Sequence, residues 1–195
     1  MSDKADHKRK LILETAGQIF REKGFKDVTM KDIAERAGIS RGGLYLYFPS
    51  TEEIFLEVLR MEAAESGDTF ESALSANATA ADILQLFLEE QKKELLQKEG
   101  TLTIASYEYA FSHRESEKAV ARKRFQKAVQ IIEHLIRAGV ETDEFYCSDP
   151  HAAAADIMYV IEGLKICAQT MGITERIADR EIRFIMDGLL ALDEM

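Results

Sequence analysis

Thr29-Met30-Lys31-Asp32-Ile33-Ala34-Glu35-Arg36-Ala37-Gly38, followed by Ile39-Ser40-Arg41-Gly42-Gly43-Leu44-Tyr45-Leu46-Tyr47-Phe48-Pro49, is the stretch that decides the fold. Thr29 and Asp32 stand at capping-box spacing, and Val28 and Ile33 occupy the flanking positions of a hydrophobic staple. A helix therefore begins at Thr29 and runs only to Ala37. Gly38 supplies the turn, Ile39 drops into a core, and Ser40 caps a further helix reaching Tyr47. Ile33, Ala34, Ala37, Ile39 and Leu44 furnish that core, with Ala34 and Gly38 small where the helices approach. Two short helices on a tight turn are suited to laying a helix end in the major groove of DNA.

The residues this leaves over are those a duplex needs. Lys31, Arg41, Gly42, Gly43, Tyr45 and Tyr47 point outward or toward the helix start, and Thr29, Ser40 and Thr51 at helix beginnings complete the candidate DNA-binding set. Arg41 has donors for guanine O6 and N7 or for phosphate, and the tyrosine hydroxyls suit phosphate oxygens. Gly42 and Gly43 cost roughly 1 kcal/mol each in a helix interior relative to alanine; they make sense where backbone must approach a groove wall or a thymine methyl. The competing readings are an ordinary helical hairpin, with both tyrosines in the core and Arg41 merely solvated, and a helical protein-interaction module that uses the hairpin for protein contact without DNA binding.

Charge supports the first reading. The 195-residue chain carries a net charge of −10, yet residues 1–51 hold 10 Lys/Arg against 7 Asp/Glu and the remainder holds 15 against 28. A basic head on an acidic body is expected when only the head meets phosphates. Hydrophobic residues make up 46% and prolines number two, Pro49 and Pro150, so an ordered core is expected. Cys147 and Cys167 have no disulfide or zinc spacing and read as reduced thiols, Cys167 buried on a helix. No apolar run approaches the ~20 residues of a membrane span, and Met1 to Lys10 lacks a signal peptide's apolar centre, which together imply a cytoplasmic protein without a membrane partner. The histidines, His7, His113, His134 and His151, form no Glu-x-x-His pairs, and no nucleophile elbow or phosphate loop occurs, so neither an enzyme nor a metal or cofactor is expected.

Helical punctuation continues on both sides. Ile12, Ala16, Ile19 and Phe20 make a stripe ending at Gly24, whose left-handed position lets Phe25 pack back on Phe20. Beyond Thr51 the expected helices are Glu52 to about Leu74, Ile83 to Gln97, Leu102 to Ser112, Ser116 to Ala138 stopped by Gly139, Pro150 toward Gly172 with Asp149 as cap, and Arg176 to Leu192. Thr79 and Asp82 repeat the capping-box spacing. The result is an all-α chain of about nine helices. Residues 1–50 form a helix-turn-helix DNA-binding domain, and residues 51–195 form a larger helical domain.

The string from Thr29 to Phe48, preceded by the helix Lys8 to Gly24 and followed by Glu52-Glu53-Ile54-Phe55, resembles the TetR/AcrR family of transcription regulators. The family's glycine, aliphatic residue, small polar residue, variable pair and Leu-Tyr-x-Tyr/His-Phe are matched by Gly38 to Phe48. Many members carry lysine where Thr51 stands, so one phosphate contact per half-site is expected to be neutral here. The resemblance implies a repressor released from operator DNA by a small-molecule effector, and a homodimer built on the last two long helices. The apolar stripes expected at that interface are Ile157, Val160, Ile161 and Leu164, with Ile182, Ile185, Met186 and Leu189; periodicity alone leaves open an intramolecular core. Within the implied receptor body, Phe87, Tyr107, Phe111, Phe125, Val129 and Met158 are the candidates for lining a ligand cavity.

Overall fold

The computed structural model describes residues 3–74, 78–97, 100–112 and 118–190. They form nine helices: α1 Asp3–Lys23, α2 Met30–Arg36, α3 Arg41–Tyr45, α4 Thr51–Leu74, α5 Ala80–Leu96, α6 Thr103–Ser112, α7 Lys118–Glu141, α8 Pro150–Thr170 and α9 Glu175–Asp187. No strand occurs among the described residues, and one isolated antiparallel bridge joins Phe145 to Leu190. None of these helices is long and apolar enough to cross a membrane.

The chain packs as two compact units, residues 1–68 with 99–113 and residues 69–98 with 114–195. The division expected at residue 50 coincides with the start of α4, but packing carries the first unit further, into α4 and α6. Its core has Ile12, Ile19 and Phe20 of α1 meeting Ile33 of α2, Leu44 of α3 and Phe55 of α4, all at most 1% exposed. Phe20 and Phe55 meet edge to face at 4.9 Å, and Phe25 beyond Gly24 joins them at 5.0 Å from Phe55 and 5.1 Å from Tyr109 of α6. Such aromatic pairs add about 0.5–1.5 kcal/mol each beyond their burial. Arg9–Glu57 at 2.8 Å and Arg21–Glu62 at 3.2 Å pair α1 with α4, and the Arg9 guanidinium lies 5.0 Å over the Phe48 ring.

The second unit is built from α5, α7, α8 and α9 around Leu84, Leu88, Ile132, Ile136 and Ile161. The Thr79–Asp82 capping box opens α5, and the Asp149 side chain accepts from Ala152 N to start α8. Glu144 accepts from Ala81 N at 2.9 Å, a backbone bond that with Thr142 holds its carboxyl below the usual range. Lys92, its side chain only 15% exposed, sits among Glu89, Glu175 and Asp179 and joins α5 to α9. His151 at the start of α8 meets Glu133 of α7 at 2.7 Å.

Four sequence expectations are corrected. Gly139 does not stop α7, which continues to Glu141: a methyl group there would overlap the Phe145 ring, so the glycine admits an aromatic contact rather than ending a helix. The last helix ends at Asp187 because the chain turns at Gly188 and the Leu189 carbonyl accepts from Tyr146 N at 2.7 Å; Leu192 lies outside the described residues, as do Ser116 and His113. The third helix closes at Tyr45, two residues early, and Cys167 is half-buried rather than buried.

Candidate nucleic-acid interface

The geometry of α2 and α3 follows from local hydrogen bonds. Thr29 and Asp32 form the reciprocal capping box, in which Asp32 Oδ2 accepts from Thr29 N at 2.9 Å. The Asp32 carboxyl is held well below the usual range, first by the Thr29 side chain and then by Lys23, which reaches it at 2.9 Å. At the far end Gly38, with φ of +66°, permits a Schellman closure: Ile39 N donates to Ala34 O and Gly38 N to Glu35 O. Ile39 is thereby directed onto the core, as the sequence implied. Ser40 then accepts from Gly43 N at 3.1 Å and starts α3.

With Leu44 fully buried, the opposite side of α3 is fixed as the outer face. Arg41, Gly42 and Tyr45 are exposed on it, Tyr45 by 52%. Arg41 has no carboxylate partner among the described residues. That matters because several other cations of the head are already engaged, Arg9, Arg21 and Lys23 as above and Arg36 with Glu22 at 2.6 Å. Lys31 is exposed and loosely paired with Glu35 at 3.7 Å. Thr29 and Ser40 are exposed but spend their side chains on helix caps. Tyr47 is half-buried against the core, so only part of it faces out. Thr51 is half-buried at the first position of α4, while its neighbour Ser50 accepts from Glu53 N at 3.1 Å.

The two glycines differ. A Cβ on Gly43 would stand 3.1 Å from Ser40 Oγ, so this glycine serves the cap. A Cβ on Gly42 would meet nothing within 4 Å, and the fold gives no reason for its absence.

Sequence reasoning missed two features. Leu46, 86% exposed, is the most exposed large apolar side chain among the described residues. It lies one helical turn beyond Gly42, and the Leu-Tyr-x-Tyr pattern treats its position as variable. Glu108 of α6 accepts from Phe25 N at 2.7 Å and Lys26 N at 3.0 Å, fixing the turn that leads into α2. Gly24 makes room for it: its φ is +78°, and a Cβ there would come 2.5 Å from the Glu108 carboxylate. Beside it Tyr109 donates to Glu52 of α4 at 3.0 Å. A contact spanning 83 residues leaves no local signal in sequence.

The residues expected in the body are placed differently from one another. Phe87, Phe125, Val129 and Met158 belong to the second unit, Val129 and Met158 within its buried core. Tyr107 and Phe111 belong to the first, where Phe111 is 77% exposed with its ring 6.3 Å from Tyr107. Of the eight stripe residues expected at a subunit interface, Ile157, Ile161, Ile182, Ile185, Met186 and Leu189 are already buried in the core of their own unit, and Val160 and Leu164 are half-buried. The large apolar side chains that α8 and α9 leave exposed are Tyr159, Ile166 and Phe184.

Comparison with known proteins agrees with this architecture. The profile of the bacterial regulatory proteins of the tetR family matches residues 12–58, and that of the tetracyclin repressor-like C-terminal domain matches residues 83–178. The HTH-type transcriptional regulator YfiR of Bacillus subtilis is 32% identical over 152 residues, 77% of this chain and 74% of that protein. The repressor KstR2 of Mycobacterium tuberculosis is 40% identical over 60 residues, 31% of this chain and 30% of its own. A transcriptional regulator from Saccharomonospora viridis, solved in complex with choline, shares the fold with a TM-score of 0.81 at 23% identity, covering 96% of this chain and 100% of its own. A capped helix pair with a polar outer face, family profiles that match the head and the body in turn, and a relative 32% identical over 152 residues place the chain in the TetR family of DNA-binding transcription regulators.

Proposed function

We propose that the protein represses transcription as a cytoplasmic homodimer that binds operator DNA through α3 and leaves it when a small molecule occupies the body. The observation that carries this reading is the outer face of α3, where Arg41 and Tyr45 stand exposed on a helix whose inner side is sealed by Leu44. One five-residue helix touches few base pairs, so a second copy is needed to give a genomic site enough contacts and to set half-sites one helical turn, ~34–36 Å, apart. Because the expected stripe is largely consumed by the unit's own core, the dimer surface we favour is the exposed face of α8 and α9. Tyr159, Gly163 and Ile166 lie there at i, i+4 and i+7, a methyl on Gly163 would meet open space, and Phe184 is 75% exposed.

Ligand binding in the body would weaken DNA binding by preferring a conformation in which the heads no longer match successive grooves, and DNA would weaken ligand binding equally. Phe87, Phe125, Val129 and Met158 are the lining candidates in the second unit, Tyr107 and Phe111 those in the first. The acidic balance of residues 52–195 favours a cationic or neutral effector, and the choline bound by the Saccharomonospora regulator makes that small cation a reasonable first compound to try. The test is a salt titration of binding to selected duplex DNA. Arg41→Ala should weaken binding and make the dependence on salt shallower, while leaving the oligomer intact. Unchanged binding by Arg41→Ala would remove α3 from the interface.

A further inference from the structure

Two features of the α3 face serve nothing within the fold. Glycine is a poor helix residue, yet Gly42 is held by neither a left-handed backbone nor a close neighbour, since a Cβ there would enter open space. Its partner Gly43 has an internal reason in Ser40 Oγ; Gly42 has none. Four residues on, Leu46 continues the right-handed helical backbone with φ of −69° and ψ of −22°, so the i, i+4 relation places it on the same face as Gly42. It exposes 86% of its surface there, beside Tyr45. A missing methyl group and a projecting apolar side chain, one turn apart, make an apolar notch in a polar surface.

We propose that Gly42 and Leu46 form a notch for the C5-methyl group of one thymine per half-site, which makes Leu46 a specificity-determining residue. The inference rests on the reading of α3 as the DNA-facing helix. In the major groove thymine alone among the four bases presents a methyl group, the one apolar feature that an exposed leucine can read. A side chain at position 42 would occupy the space the methyl needs. Arg41, adjacent in sequence and unpaired among the described residues, supplies the polar contact to a neighbouring base or phosphate. Leucine in such a notch gains from burial rather than from hydrogen bonding, so its contribution is insensitive to salt, in contrast to that of Arg41.

The experiment uses the full-length protein and duplexes that it selects from a randomised pool. Each thymine of a selected half-site is replaced in turn by uracil, which removes only the methyl. At one position per half-site the parent protein should lose about fourfold in affinity, the value of one buried carbon, and about fifteenfold when both half-sites are changed. Leu46→Ala should bind the thymine and uracil duplexes equally. Gly42→Ala should raise the thermal midpoint, because alanine is the better helix former, and still bind the selected duplex more weakly. The proposal is overturned if no thymine distinguishes the parent from Leu46→Ala, or if Gly42→Ala binds without loss. If Leu46→Ala weakens every duplex uniformly while Arg41→Ala also weakens binding, α3 faces DNA and the notch is wrong. If Arg41→Ala binds normally, or if no duplex is selected, the underlying reading fails and the notch fails with it.

Discussion

Gly24 and Glu108 should be energetically coupled across 84 residues, and the size of the coupling can be worked from their geometry. Glu108→Ala removes a carboxylate that accepts two backbone amides, from Phe25 and Lys26. Hydrogen bonds to charged groups contribute about 1.5–3 kcal/mol each, but the Lys26 amide is exposed and water replaces that partner, so the expected loss is about 2 kcal/mol. Gly24→Ala places a side chain at φ of +78° and drives the carboxylate off its amides. Left-handed strain costs about 1 kcal/mol, and forfeiting the Glu108 bonds adds about 2, giving a total of about 3 kcal/mol. In the Glu108→Ala background only the strain is left, so Gly24→Ala should then cost about 1 kcal/mol. The assay is a double-mutant cycle by urea unfolding, followed by circular dichroism because the chain has no tryptophan. Equal costs for Gly24→Ala in both backgrounds, within about 0.5 kcal/mol, would refute the clamp. Because the clamped turn leads directly into α2, Glu108→Ala should also weaken operator binding.

Gly139→Ala should destabilise the second unit by about 1–3 kcal/mol through overlap with Phe145, and a denaturation midpoint no lower than the parent's would show that the ring has room to move. The Asp32 carboxyl is held below its usual range by Thr29 and Lys23, so its contribution is fully present above the ordinary aspartate pKa of about 3.9 and is lost as pH falls below it. Glu57, lowered by Arg9, acts with the same sign. Urea midpoints should therefore decline on acidification through that region, with a smaller decline in Asp32→Asn. Phe184→Glu should shift the protein toward monomer in sedimentation and weaken operator binding, whereas a dimer unaffected by this change would exclude that face of α9.

What could be read from sequence was what is encoded within a few residues. The Thr29–Asp32 and Thr79–Asp82 boxes and the Asp149 cap each join residues three apart, and all three are formed. The left-handed glycines at 24 and 38 were legible for the same reason, since each follows directly on a stripe of buried residues. Gly139 shows the limit of that logic. A glycine after a helical stripe has two meanings, a turn or a close contact, and choosing between them requires knowing that Phe145 folds back onto α7.

The candidate interfaces divide along the same line. The outer face of α3 could be inferred because its inner face was identifiable, and a short helix has only two sides. In α8 and α9 the most regular apolar stripe, Ile157 and Ile161 with Ile182, Ile185 and Leu189, is the one that the unit's own core consumes. A helix in a small bundle meets its own neighbours first, so its strongest periodicity reports the intramolecular core. A surface left for a partner would then be sought in a second, less regular set, and Tyr159, Ile166 and Phe184, exposed and interrupted by charged residues, are the set proposed here. The same reasoning singles out Leu46. A single exposed leucine is ordinary; Leu46 is informative because it stands one turn from Gly42, whose missing side chain the fold does not account for either.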